Sequence, residues 1–161
     1  MSTEKIEQFY QAFARLDGEA MTAFYAPDAW FEDEAFSLRG RVEVGGMWQM
    51  LCAAVKAKGK DVWKLDYSGI RSEHGKVLAH WEPVYRFSAT GRMVHNIIDA
   101  EFEFRDGLIV GHRDRFDFNR WAKQALGPMP VLLLGWTPLL RNKVRNTARA
   151  NLNKFLAQQP S

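Results

Sequence analysis

Apolar residues recur at helical spacing from the start of the chain. Ile6, Phe9, Tyr10, Phe13 and Leu16 lie three or four positions apart, which predicts an amphipathic helix over Lys5–Leu16 with Ser2 or Thr3 as its cap. Asp17-Gly18 breaks that pattern, and Glu19–Tyr25 reads as a second, short helix ended by Pro27-Asp28. Ala29–Asp33 reads as a short strand running into acidic residues. After Arg39-Gly40 a longer helix, Val42–Lys58, buries Val44, Met47, Trp48, Leu51 and Val55. Beyond Gly59 the pattern changes to β-runs punctuated by glycine: Val62–Ser72, Lys76–Ser88, Arg92–Arg105 and Leu108–Phe118. Glu73-His74-Gly75, Ala89-Thr90-Gly91 and Asp106-Gly107 are hairpin signals, so these four strands form an antiparallel meander. Helices first and sheet second define an α+β fold. A strongly curved sheet closed by helices on one side makes a cone with an interior pocket.

The last stretch differs from the rest. Val131–Leu140 is apolar but holds Gly135 and Pro138, and it is far short of the ~20 residues a membrane span needs. Leu140, Val144, Ala148, Leu152, Phe155 and Leu156 then follow a helical stripe, with Arg141, Arg145, Arg149 and Lys154 largely off it. The chain thus divides into a cone domain, 1–127, and a helical extension, 128–161. The extension is expected to pack on the same domain or on a partner subunit, with a membrane surface as the alternative.

Composition narrows the class. With 47% hydrophobic and 25% charged residues the chain carries enough apolar surface for a core, which excludes disorder for its bulk. Of the 22 Lys and Arg, five lie from Arg141 onward with no acid beside them, leaving 17 bases against 19 acids in the body. An acidic body without interleaved bases and aromatics argues against nucleic acid. One cysteine, Cys52, lies on the apolar helix and can form no internal disulfide, and no apolar run follows a positive start. The expected compartment is the cytoplasm.

Candidate chemistry sits on the last two strands. Alternation puts His95, Ile97 and Asp99 on one face, opposite Val94, Asn96 and Ile98. It likewise groups His112, Asp114 and Phe116 opposite Arg113, Arg115 and Asp117. If the first-named faces point inward, four titratable groups line one apolar cavity; otherwise they are outward ladder partners, such as Asp99 with Arg113. No His-x-His or His-Glu-x-x-His spacing joins His80, His95 or His112, so no metal is expected.

Phe24-Tyr25-Ala26-Pro27-Asp28-Ala29-Trp30-Phe31-Glu32-Asp33 resembles the helix-to-strand passage of ketosteroid isomerase and the SnoaL-like polyketide cyclases, in the nuclear transport factor 2-like superfamily. Ile97 to Ile109 is similar to the penultimate strand of that family and its acidic-Gly turn, and the likeness runs in order from about Ile6 to Phe118. The resemblance places Asp33 at the isomerase's catalytic base and Asp99 at its protonated oxyanion-hole aspartate. Phe9 matches its donor tyrosine but cannot donate. Limonene epoxide hydrolase, another relative, has two acids that Asp99 and Asp114 resemble, with Ile97 in place of its arginine.

The resemblance implies cofactor-independent acid–base chemistry on a small apolar ring compound. Asp33 would take a proton next to a carbonyl and Asp99 would donate to the developing enolate, with His95 and Asp114 orienting or relaying. Phe9, Trp30, Trp48, Trp81, Ile97, His112 and Phe116 would line the substrate pocket. A homodimer through the outer face of the sheet is expected. The rival readings are a non-catalytic small-molecule-binding or protein-interaction domain of the same fold, and epoxide hydrolysis.

Overall fold

In the computed structural model, which describes residues 2–134 and 138–160, the first apolar stripe forms helix α1 (Ser2–Ala14) with Ile6, Phe9, Tyr10 and Phe13 buried. Asp17 caps the short α2 (Gly18–Thr22), its carboxylate accepting the Ala20 N–H at 3.0 Å. Tyr25 then opens strand β1 (Tyr25–Glu32), so Pro27-Asp28 lies inside a strand instead of ending a helix. The pairing shows why a proline is tolerated there. Its register jumps between Tyr25 and Trp30, and an exposed irregular stretch has no ladder bond for the missing N–H to break.

The chain turns back through β2 (Ser37–Arg39) onto β1, then enters α3 (Arg41–Lys58). The β-runs become β3 (Lys64–Glu73), β4 (Lys76–Arg86), β5 (Met93–His95), β6 (Ile98–Arg105) and β7 (Leu108–Arg115). His74-Gly75 and Asp106-Gly107 both hold positive φ at both residues, the geometry of tight hairpin turns. The expected single strand Arg92–Arg105 is two pieces broken after His95, each paired to a different part of β4. The seven strands form one curved sheet in the order β2-β1-β7-β6-β4-β3, with β5 added on β4. Every pair is antiparallel except β1 with β7. The sheet is therefore not wholly antiparallel, because β1 reaches β7 through a long connection that imposes no direction, unlike a two-residue turn.

Three helices follow: α4 (Phe118–Leu126), capped by Asp117, then α5 (Pro128–Leu134) and α6 (Pro138–Ala157). Helix α4 replaces the expected end of the last strand. Gly135, Trp136 and Thr137, part of the expected apolar run, lie outside the described residues. Helix α6 seats on α3 with Leu152 fully buried, and a Cβ added at Gly46 would lie 2.5 Å from Leu156, so the glycine permits the close approach. Its arginines serve as clamps: Arg141 pairs with Glu34, Arg149 pairs with Glu43 at 2.7 Å, and Arg145 donates to the carbonyls of Asp33 and Glu34 at 3.2 and 3.1 Å. The acidic run after β1 and the basic stripe of α6 are thus two halves of one contact. No described helix is long and apolar enough to cross a membrane.

Candidate active site

Along β5 and β6 the buried positions are Val94, Asn96, Ile98, Ala100 and Phe102, while Met93, His95, Ile97 and Asp99 are exposed. The alternation keeps phase through the break, so one parity faces inward throughout. His95, Ile97 and Asp99 therefore stand on the outer wall, against the expectation that they line the cavity. Asp99 is 80% exposed and accepts from His80 Nδ1 at 2.9 Å. His80 Nε2 meets Glu82 at 2.7 Å, and His95 Nε2 meets the other oxygen of Glu82 at 2.8 Å. Asp99 and Asp33 do not meet. Counting back from Gly107 gives a distance along the chain but not the face of the strand.

Trp30 is also an outer residue. Its ring lies over Gly111, where an added Cβ would be 2.6 Å away, and between the guanidinium groups of Arg39 and Arg113 at 5.9 and 5.2 Å. Phe9 is fully buried and packs edge-on against Tyr25, Trp48, Phe102 and His112 beneath the hollow.

Strand β7 does turn its ionisable pair inward. The bulge opposite Glu103 and Phe104 inserts one residue, which shifts the buried parity from Ile109 to His112 and Asp114. The hollow that Asp114 reaches has a volume of about 560 Å³ and is lined by Trp48, Trp81, Tyr85, Phe116 and Trp121 together with Asp33, Asn96 and Asp114; His112, expected to line it, sits behind Asp114 instead. Pro130 of α5 and Leu140, Lys143 and Val144 of α6 also line it.

Behind Asp114 runs a chain of hydrogen bonds. The Trp48 indole N–H donates to the Tyr25 hydroxyl oxygen at 2.9 Å, and Tyr25 lies 2.8 Å from His112 Nδ1. His112 Nε2 lies 2.8 Å from Asp114 Oδ1. An indole can only donate, so the single proton of Tyr25 goes to Nδ1 and His112 carries its own proton on Nε2, donated to Asp114. A proton on Nδ1 as well would leave the Tyr25 hydroxyl without an acceptor. Trp81 donates to the same Oδ1 at 3.4 Å. Asp114 Oδ2 is buried and has no partner among the described residues. A carboxylate oxygen left without a partner at a cavity wall is positioned for a ligand or a proton.

Asp33 lines the same hollow. Its Oδ1 accepts from the backbone N–H of Ala35 and Phe36, each at 2.7 Å, which anchors the side chain on the turn after β1. Burial, then the negative charge of Asp114, push its pKa up to about 7, against the pull of those two N–H groups and of Arg145. Tyr85 of β4, not among the expected site residues, also reaches the hollow. Its hydroxyl oxygen accepts from Trp121 Nε1 at 2.9 Å, so the hydroxyl proton is free to point elsewhere. Burial raises its pKa to about 12, and the charge of Asp33 adds to the rise. Tyr85 is therefore a neutral donor. The inward parity of β4, set by Val77, Ala79 and Trp81, was the signal that could have found it. Burial also pushes the Cys52 thiol up to about 11, away from nucleophilic use.

The curved sheet and its helices enclose a hollow lined by two carboxyl groups, and comparison with known proteins identifies the family. The chain belongs to the SnoaL-like domain family, whose pattern matches residues 6–112. Its fold is similar to that of a limonene epoxide hydrolase-like epoxide hydrolase from M. tuberculosis, at 20% identity and TM-score 0.62, covering 82% of this chain and 94% of the other. It is similar also to a protein provisionally assigned as a polyketide cyclase from Xanthomonas campestris pv. campestris, at 22% identity and TM-score 0.60, covering 77% and 96%. A third similar structure is a protein with a ketosteroid isomerase-like fold from Catenulispora acidiphila in complex with trimethylamine, at 16% identity and TM-score 0.58, covering 79% and 92%. No curated protein matches the sequence.

Proposed function

We propose that the protein is an acid–base enzyme that moves a proton next to the carbonyl of a small apolar compound, with Asp114 and Asp33 as its two carboxyl groups. The observation that carries this reading is the unpartnered Asp114 Oδ2, buried at the cavity wall and backed by the His112, Tyr25 and Trp48 chain. An Oδ1 already accepting N–H protons suits a base that works through its other oxygen. Asp33, whose pKa near 7 leaves it partly protonated at neutral pH, is the acid or hydrogen-bond donor. Tyr85 stands as the donor to the developing oxyanion, in place of the tyrosine that Phe9 cannot replace and of the outward Asp99. The apolar aromatic walls select a compound with few polar groups, and chemistry of this kind needs no cofactor.

The test is hydrogen–deuterium exchange at the carbon beside the carbonyl. A panel of cyclic ketones incubated with the protein in D2O and followed by NMR should include at least one with protein-dependent exchange. Asp114→Asn should slow it roughly 10²–10⁴-fold, as loss of a general base does, while Asp99→Asn leaves it unchanged. Tyr85→Phe should slow it less than Asp114→Asn. Exchange that is lost equally in Asp99→Asn and Asp114→Asn would overturn the assignment. Turnover of epoxides with no ketone exchange would move the reading to hydrolysis, in which Asp114 activates a water.

A further inference from the structure

Among the described residues, four of the eight exposed large hydrophobic side chains fall within eleven consecutive positions: Met129, Leu132, Leu133 and Leu139, each between 58% and 71% exposed. They occupy one corner of the molecule, where α5 packs between α4 and the start of α6. Leucine at such exposure in a chain that has a full core elsewhere marks a surface built to be covered. The charge around it is one-sided. From Phe118 to Ser161 the sequence holds seven Lys and Arg and no Asp or Glu. Arg141 and Arg149 are consumed by Glu34 and Glu43, but Lys123, Lys143 and Lys154 have no ion pair among the described residues. Lys143 follows Leu139 by four residues on α6, so the two share a helix face.

From these features we infer that the α5–α6 corner docks on an anionic lipid bilayer. Aliphatic side chains at a corner whose helices also carry Lys123 and Lys143 and no acid of their own match the two layers such a surface presents: phosphate-bearing headgroups and the acyl region beneath them. The corner also adjoins the cavity. Pro130 and Leu140 line the hollow, on the same two helices that carry Leu132, Leu133 and Leu139. A bilayer seated there would pass apolar compounds into the cavity without their crossing water. The docking itself does not depend on the chemistry proposed for Asp114, and it is read without turnover.

The experiment is flotation of the full chain with vesicles of phosphatidylcholine alone or with phosphatidylglycerol added. The wild-type chain should float with the anionic vesicles, at least about tenfold more than with the neutral ones, and the bound fraction should fall as salt is raised. The double variant Leu132→Ser/Leu133→Ser, at two exposed positions and checked for an unchanged circular dichroism spectrum, should lose most of the binding. Equal flotation of variant and wild type overturns the inference. So does a wild-type chain that ignores both vesicles but falls from dimer to monomer when the two leucines are replaced, since the corner would then be covered by a second copy.

Discussion

The two faces of one sheet carry nearly the same pair of side chains at nearly the same distance. Within the cone His112 meets Asp114 at 2.8 Å, and on the outer wall His80 meets Asp99 at 2.9 Å. Their surroundings differ completely: the inner side chains are 1% and 2% exposed, the outer ones 34% and 80%. Outside, water screens the charges and competes for the hydrogen bonds, so the pair has little to give. Inside, neither partner can turn to solvent, so each exists on condition that the other is present. A His–Asp contact is therefore not a site by virtue of its geometry. The inner one is the candidate because Asp114 lines the hollow and its remaining oxygen has no partner among the described residues.

The largest expected difference between the faces is in stability. Removal of the inner imidazole by His112→Ala leaves Asp114 without its donor and Tyr25 without its acceptor, and should cost about 3–5 kcal/mol. His80→Ala, on the exposed face, should cost less than about 1 kcal/mol. Urea unfolding of the two variants checks this directly. Comparable, small costs would mean that water enters the cone far enough to erase the contrast.

A smaller effect separates Asp33 from every exposed carboxyl group. Its folded pKa, about 7, lies above the ordinary value of 3.8, so the folded chain keeps a proton that the unfolded chain releases. The native state is therefore favoured at low pH and loses stability as pH rises from about 4 to about 7. Asp33→Asn should remove that slope and stabilise the protein at pH 8 by up to about 4 kcal/mol, less to the extent that its half-buried side chain keeps contact with solvent. The amide oxygen of Asn can still accept from Ala35 and Phe36, which keeps the turn intact. Unfolding midpoints at pH 5 and pH 8 supply the measurement. A slope unchanged in the variant would place the raised pKa elsewhere.

Much of this architecture was legible in the chain. The α1 and α3 stripes, the four β-runs and two of their glycine turns predict the helices and the curved sheet, because periodicity and turn chemistry are local. The face of β6 was legible too, but only over the whole strand. Ile98, Ala100, Phe102 and Phe104 alternate with Asp99, Glu101, Glu103 and Arg105, and the apolar parity is the inner one. Read over His95 to Asp99 alone, the alternation is evenly balanced. The remaining features depend on contacts distant in sequence. No local pattern tells that Arg145 will reach the turn carrying Asp33, or that a bulge at β7 will turn His112 inward beside Tyr25. The proton-carrying chain behind Asp114 joins three elements, and a sequence read segment by segment cannot assemble it.

The smallest expected effect lies on the outer wall and tests whether its charges act as a solvent-screened set. Hydrogen bonds to Asp99 first, and to Glu82 second, hold the His80 pKa above its ordinary value of 6.5. A raised imidazole pKa contributes stability that is fully present below about pH 6.5 and fades as pH rises through the folded value. Asp99→Asn withdraws the larger of the two supports while Glu82 keeps the other at 2.7 Å. The variant should therefore lose less than about 1 kcal/mol at pH 6 and nothing measurable at pH 9, and added salt should shrink the difference. Unfolding at pH 6 with and without salt would show it. A loss that persists at pH 9 would mean that Asp99 supports the wall by packing or by another partner, and the contrast between the faces would then rest on more than water.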